Sequence, residues 1–99
     1  MAAPPRLAKT DVAARLETLP GWSLAAGKLH KAFVFTDFVE AWGFMSRVAL
    51  VAEAMGHHPE WSNVWSRVTV DLTTHDAGGV SELDFDLAAR MESIAGRRP

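Results

Sequence analysis

Apolar residues first recur at helical spacing. Val12, Leu16 and Leu19 follow Thr10 and Asp11, either of which can cap a helix, and Pro20-Gly21 ends the run. The period then shortens to two. Residues 22–25 read as a short strand, Ala26-Gly27 as a turn, and residues 28–35 as a second strand with Phe33 and Phe35 on one face. Thr36-Asp37 offers the next cap, with Glu40 placed to reach back to the amide of Asp37. A long helix runs from there to about Met55 and stops at Gly56, a residue type favoured just past a helix end. Pro59 bars any continuation. Residues 61–65 and 67–74 form a hairpin in which Val68, Val70 and Leu72 alternate with Arg67, Thr69, Asp71 and Thr73, so one face is wet. A loop covers Thr74 to Gly79. Ser81 caps the last helix with Asp84 three residues on, a capping-box variant, and Leu83, Leu87, Met91 and Ile94 form its buried stripe. The predicted order αββαββα is a two-layer α+β fold, a four-stranded antiparallel sheet with helices on one face.

The long helix is apolar over more of its circumference than one sheet can cover. Phe38, Trp42, Met45, Ala49 and Ala52 form one stripe, and Phe44, Val48, Val51 and Met55 form a second beside it. A core-facing helix needs a stripe of only ~100°. The expectation is that one stripe meets the sheet and that the second, Phe44 to Met55, meets another subunit, because a chain this short has few other elements to cover it.

Composition narrows the class. The 99 residues suffice for one core, read as a single domain over residues 9–99 behind a loose N-terminal arm, residues 1–8. A net charge of −2 without any basic run argues against a nucleic-acid footprint or a polybasic membrane patch. No stretch approaches the ~20 apolar residues of a membrane span, and MAAPPR lacks the apolar core of a signal peptide. The absence of cysteine removes disulfides and thiolate metal sites. These features predict a soluble, cytoplasmic protein.

Candidate chemistry concentrates between Glu53 and Asp84. His57 and His58 are adjacent and precede Pro59, and His75 falls at the end of the predicted last strand. Imidazoles titrate near ~6.5 and suit proton transfer at neutral pH. Neighbours in an extended segment point to opposite sides, so His57 and His58 need not share a role, and either alone reads equally well as a surface or cap histidine. Adjacent histidines with a third 17 residues on are not a usual zinc spacing, so no metal is expected. Glu53, one helical turn before His57, is either a solvated helix residue or a partner for a histidine. Asp84 can be fully explained as a capping acid. Trp61 and Trp65 read as core before ligand platform, with Trp61 the better candidate for substrate contact. Gly78-Gly79 lets the loop turn and is too short for a phosphate-binding motif. His30 reads as ordinary surface.

Taken together, Glu53-x-x-x-His57-His58-Pro59, Trp61, Val64, Trp65, Thr74-His75, Gly79, Ser81 and Asp84 resemble the signature of the pterin-4a-carbinolamine dehydratases. The resemblance extends from about Lys9 to Ala95. It implies dehydration of 4a-hydroxytetrahydrobiopterin, the carbinolamine left by aromatic amino-acid hydroxylases, to quinonoid dihydropterin, in tetrahydropterin recycling and without cofactor or metal. It implies a catalytic set of His57, His58 and His75, with Glu53, Pro59, Trp61, Thr74, Asp76 and Asp84 around the pterin. Leu83 departs from the polar or basic residue expected in some relatives beside the aspartate. The resemblance also implies a homodimer or homotetramer through the central helix and a functional link to a hydroxylase. An alternative is a helix-mediated binding module with a relic site, since animal relatives serve as dimerisation cofactor of a homeodomain transcription factor.

Overall fold

The structure, a computed structural model, describes residues 3–96. Its elements are α1 (Lys9–Leu16), β1 (Ser23–Ala25), β2 (Lys28–Val34), α2 (Phe38–Met55), β3 (Glu60–Val64), β4 (Arg67–Leu72), a 3₁₀ turn (His75–Ala77) and α3 (Glu82–Ala95). The strands form one antiparallel sheet in the order β1-β2-β4-β3. This is the α+β order expected from the alternation of apolar periods.

Strand register places the apolar residues on one face. Leu29 lies opposite Leu72 and Phe33 opposite Val68, and all four are fully buried. Across from them α2 presents Ala41, Phe44, Val48 and Ala52, at the three- and four-residue spacing that keeps side chains on one side of a helix. Phe44 sits between two rings of β2 and its extension, with centroids 4.8 Å from Phe33 and 4.9 Å from Phe35. Phe85, Leu87, Ala88 and Met91 of α3 and Val12 of α1 complete the core. Even the charged Lys31 is used on this face: its ammonium lies 2.6 Å from Glu92 and 4.7 Å from the centre of the Phe33 ring. Trp22 donates its indole N–H to the same carboxylate at 2.8 Å.

The central helix corrects the assignment of its two stripes. Phe44 and Val48 are fully buried inside this chain, and Val51 and Met55 pack partly buried against the core, so the stripe expected at a subunit contact is the internal one. The outward face is instead Phe38, Val39, Trp42 and Leu50, the last 75% exposed, with Ala49 among them. The period alone could not tell the two apart, because both stripes are apolar. Packing decides by shape: small Ala41 and Ala52 flank Phe44 and Val48 and let the backbone approach the sheet.

Smaller departures have local causes. α1 begins at Lys9 behind Ala8, with no side-chain cap, rather than at Thr10 or Asp11, and ends at Leu16 before a turn that carries Leu19 inward. The carboxylate of Glu40 accepts the amide of Thr36, one residue before the predicted Asp37, while Asp37 caps the amide of Glu40 as a capping residue does. The hairpin turn takes Trp65, at φ 49°, together with Ser66, so Trp65 leaves the strand and is exposed rather than core. β4 ends at Leu72, and Thr74 pairs only with Gly79 across the loop. Of the N-terminal arm, residues 3–8 form neither helix nor strand, yet Leu7 donates its amide to Val80 at 2.9 Å and packs on the core. The remainder of the predicted arm, like the Arg97-Arg98-Pro99 tail, lies outside the described residues.

Candidate active site

The end of α2 sets the first histidine. Gly56 adopts a left-handed conformation at φ 66°, its amide bonding back to the last turn, and the amide of His57 reaches Ala52 at 3.1 Å. The chain therefore folds under the helix, and His57 turns inward, 8% exposed, with Nε2 2.6 Å from Asp84 Oδ1. Asp84 is fully buried in the first turn of α3. Its other oxygen accepts the amide of Ser81 at 2.9 Å, closing the capping box, and the hydroxyl of Thr74 at 2.8 Å. Thr74 and Ser81 hydroxyls lie 2.6 Å apart, and Ser81 Oγ accepts the amide of Leu83 at 3.2 Å.

Donor and acceptor supply fixes the direction of this network. Thr74 spends its proton on Asp84, so Ser81 donates to Thr74. The carboxylate form of Asp84 can then accept from Ser81, Thr74 and His57 together, which places the proton of His57 on Nε2. Nδ1 is left as the nitrogen able to take a proton. Asp84 is thus both the capping acid and the group that sets the tautomer of His57.

The other two histidines repeat the pairing at the surface. His58 Nε2 lies 2.8 Å from Glu53 Oε1, one turn back on α2, with both side chains largely exposed. His75 Nε2 lies 3.2 Å from Glu60 Oε2 on edge strand β3. The other oxygen of Glu60 accepts from Lys28. That bond holds the Glu60 carboxyl below the usual carboxylate range, with His75 adding to it, and raises Lys28. A lowered folded-state value means that Glu60 stays an acceptor for His75 further into acid than a free glutamate would; the pairing is present above the unfolded value and lost as pH falls through the folded one. Glu60 was not foreseen from the sequence. Its signal was its place directly after Pro59, on the strand that starts at the site.

His57, His58, Thr74, His75 and Asp76 line one cavity of about 560 Å³, with Met55 and Leu83 as apolar wall. Leu83 thus reaches the site by packing, where a polar residue had been expected in relatives. Glu53 and Asp84 do not line the cavity; each stands behind a histidine. Pro59 is half-buried and does not line it, and Trp61 packs partly buried against the core. Ala3 and Pro4, which sequence patterning could not have placed, do line it. His30 lies apart on the outer face of the sheet, with Nδ1 2.9 Å from Asp71, its cross-strand partner. Among the described residues no group of three His, Cys, Asp or Glu is arranged to hold a metal ion, and no buried side-chain nitrogen or oxygen lacks a hydrogen-bond partner.

Known proteins resemble this chain over nearly its whole length. Residues 5–94 match the family described as pterin 4 alpha carbinolamine dehydratase. A Rhizobium etli protein named for a pterin-4-alpha-carbinolamine dehydratase is 56% identical over 95 residues, covering 94% of this chain and 94% of its own. One of the same name from Solibacter usitatus is 49% identical over 90 residues, covering 91% and 95%. The crystal structure of a transcriptional coactivator/pterin dehydratase from Brucella melitensis superposes with a TM-score of 0.89 at 44% identity, covering 92% of this chain and 99% of that one. With the match spanning nearly its whole length, this chain belongs to the pterin-4-alpha-carbinolamine dehydratase family.

Proposed function

We propose that this protein dehydrates 4a-hydroxytetrahydropterin, of which 4a-hydroxytetrahydrobiopterin is the expected form, to quinonoid dihydropterin and water, using histidine acid–base catalysis. The single observation that carries the reading is the convergence of three histidines on one cavity, each paired through Nε2 with its own carboxylate. In the reaction the C4a–O bond breaks, the hydroxyl leaves as water with a proton from an acid, and a ring nitrogen gives its proton to a base. His57 suits the base: its Nδ1 carries the lone pair, and buried Asp84 stabilises the imidazolium that forms. His58 and His75, both open to solvent, suit the proton supply to the leaving hydroxyl and its renewal from water. Thr74 holds Asp84, and Asp76 and Leu83 bound the pterin. Glu53 steadies His58. Pro59 and Trp61 act at one remove, Pro59 by fixing the turn between His58 and β3 and Trp61 by seating that strand. The role in the cell is tetrahydropterin recycling beside an aromatic amino-acid hydroxylase in the cytoplasm; no helix of the described residues is long and apolar enough to cross a membrane.

The test is direct. Freshly generated 4a-carbinolamine should lose water faster in the presence of the purified protein, and the acceleration should survive exhaustive chelation, because every step is assigned to side chains. Stoichiometric zinc by elemental analysis, with activity lost on its removal, defeats the cofactor-free mechanism. No acceleration at all defeats the dehydratase reading and favours the binding-module alternative, to which the likeness to the Brucella melitensis transcriptional coactivator/pterin dehydratase lends support.

The outward face of α2 supports self-association, a homodimer or homotetramer through the central helix. Phe38, Val39, Trp42 and Leu50 expose large apolar area along one helix, a mark of an interaction surface. Closed symmetric assemblies are the usual outcome for identical chains. Leu50→Glu should leave the monomer fold intact, since Leu50 is largely solvent-exposed there, but should break the assembly by placing an unpaired carboxylate in the contact. Sedimentation at micromolar concentration checks it. A parent protein that is already monomeric gives the stripe another partner.

A further inference from the structure

Ala3 and Pro4 line the same cavity as the three histidines, although they precede the first helix. Three features hold them there. The Leu7 amide donates to Val80 at 2.9 Å, and the Leu7 side chain packs on the core. The stem of Arg6 crosses Gly79 so closely that a Cβ there would lie 2.7 Å from Arg6 Cδ. Gly79 has no positive φ, so what its missing side chain provides at this position is room for the arm. Gly79 in turn pairs with Thr74, its carbonyl accepting the Thr74 amide at 3.0 Å, and the Thr74 hydroxyl holds Asp84. The arm is thus laid against the loop that presents His75 and anchors the His57–Asp84 pair.

We infer that Ala3 and Pro4, held in place through Leu7 and the stem of Arg6, form a fixed apolar wall of the pterin site, one that retains the substrate and shields it from water without taking part in proton transfer. The inference rests on the dehydratase reading. The chemistry of the segment fits a wall: Pro4 and Pro5 have no backbone N–H to offer, and their fixed φ holds the chain extended at little entropic cost on docking. Met55 and Leu83 are the other apolar parts of the lining. Such a wall contributes by contact, so its loss belongs in substrate binding. Losing contacts worth one to two CH₂ groups corresponds to roughly 4–15-fold in affinity.

The experiment compares the parent with a chain that begins at Leu7 behind an initiator methionine, and with Pro4→Gly/Pro5→Gly, which loosens the arm and removes none of the core. Steady-state dehydration of the 4a-carbinolamine of 6-methyltetrahydropterin is measured for all three, with thermal melting as the control for folding. The expected result is a KM raised roughly 4–15-fold in both variants with kcat within about twofold of the parent. Parental KM in either folded variant overturns the inference, as does a fall in kcat at unchanged KM, which would put the arm in the chemistry. Should the truncated chain fail to fold, the double glycine variant decides alone. An inactive parent sinks the dehydratase reading and the wall with it, whereas an active parent with indifferent variants sinks only the wall.

Discussion

His57→Ala should leave a folded protein whose dehydration is slowed by at least ~10²-fold, the lower end of what a positioned acid or base contributes. His57 is the only one of the three cavity histidines that is buried, and its Nε2 is committed to Asp84, which leaves Nδ1 for the substrate. Removing the ring also strips Asp84 Oδ1 of its donor, so a stability loss of about 1–3 kcal/mol should accompany the loss of rate. His75→Ala should reach a similar rate defect with almost no change in stability, because His75 is largely exposed and its contact with Glu60 is at the surface. On the proposed mechanism both groups serve one transition state, so the two defects should not multiply in the double variant. His30→Ala, on the outer sheet face and not part of the cavity lining, should dehydrate like the parent and controls for the loss of a histidine as such. Stopped-flow absorbance of the carbinolamine decay measures all of these. Near-parental dehydration by the double variant is the result that would end the acid–base reading.

How far the sequence foretold this site depends on whether the information was local. The capping box of Ser81 and Asp84, the glycine stop at Gly56 and the alternation of Val68, Val70 and Leu72 are short-range signals, and each produced the expected element. The histidines could be named as candidates because their types and positions are unusual along the chain. Their carboxylate partners were partly legible: Glu53 lies on the same helix as its histidine's segment, five residues before His58, whereas Asp84 and Glu60 reach theirs across 27 and 15 residues. Asp84 could be read as a cap from its spacing to Ser81, but its second oxygen, shared with Thr74, is a product of the α3–loop packing. The same limit explains the reversed stripes of α2. Helical periodicity states which residues share a face and not which face is inward; that choice is made by how Phe44 fits between Phe33 and Phe35. The arm was beyond reach for another reason: Ala3 and Pro4 have no period at all, and their place follows from the gap at Gly79.

Asp84→Asn should cost both stability and rate, and the two losses have separate origins. The carboxylate accepts on both oxygens, from Ser81 N–H and Thr74 O–H on one side and from His57 on the other. An amide of the same shape has only one oxygen. If that oxygen faces Ser81 and Thr74, the NH₂ faces His57, whose Nε2 must then accept, and the ring proton moves to Nδ1. If the amide turns round, NH₂ meets the Ser81 amide, donor against donor, in a fully buried position. The second orientation leaves buried donors unmatched, at about 1–3 kcal/mol each, and the first matches every group but replaces charge-assisted bonds by weaker neutral ones. At roughly 4–8 °C per kcal/mol for a domain of this size, thermal melting should show the drop clearly. On the proposed mechanism the rate should fall by at least ~10²-fold, because the wrong nitrogen would carry the proton and the substrate would meet an N–H in place of a lone pair. Asp84→Ala should be the more destabilising change, because it removes both acceptor oxygens and leaves the Ser81 amide and the His57 ring N–H unmatched, at about 1–3 kcal/mol each. Nitrogen-15 chemical shifts of His57 distinguish the tautomers: the parent should carry its proton on Nε2 and the asparagine variant on Nδ1. An asparagine variant with parental rate and a shifted tautomer would show that His57 Nδ1 is not the base, and the role would pass to His58 or His75.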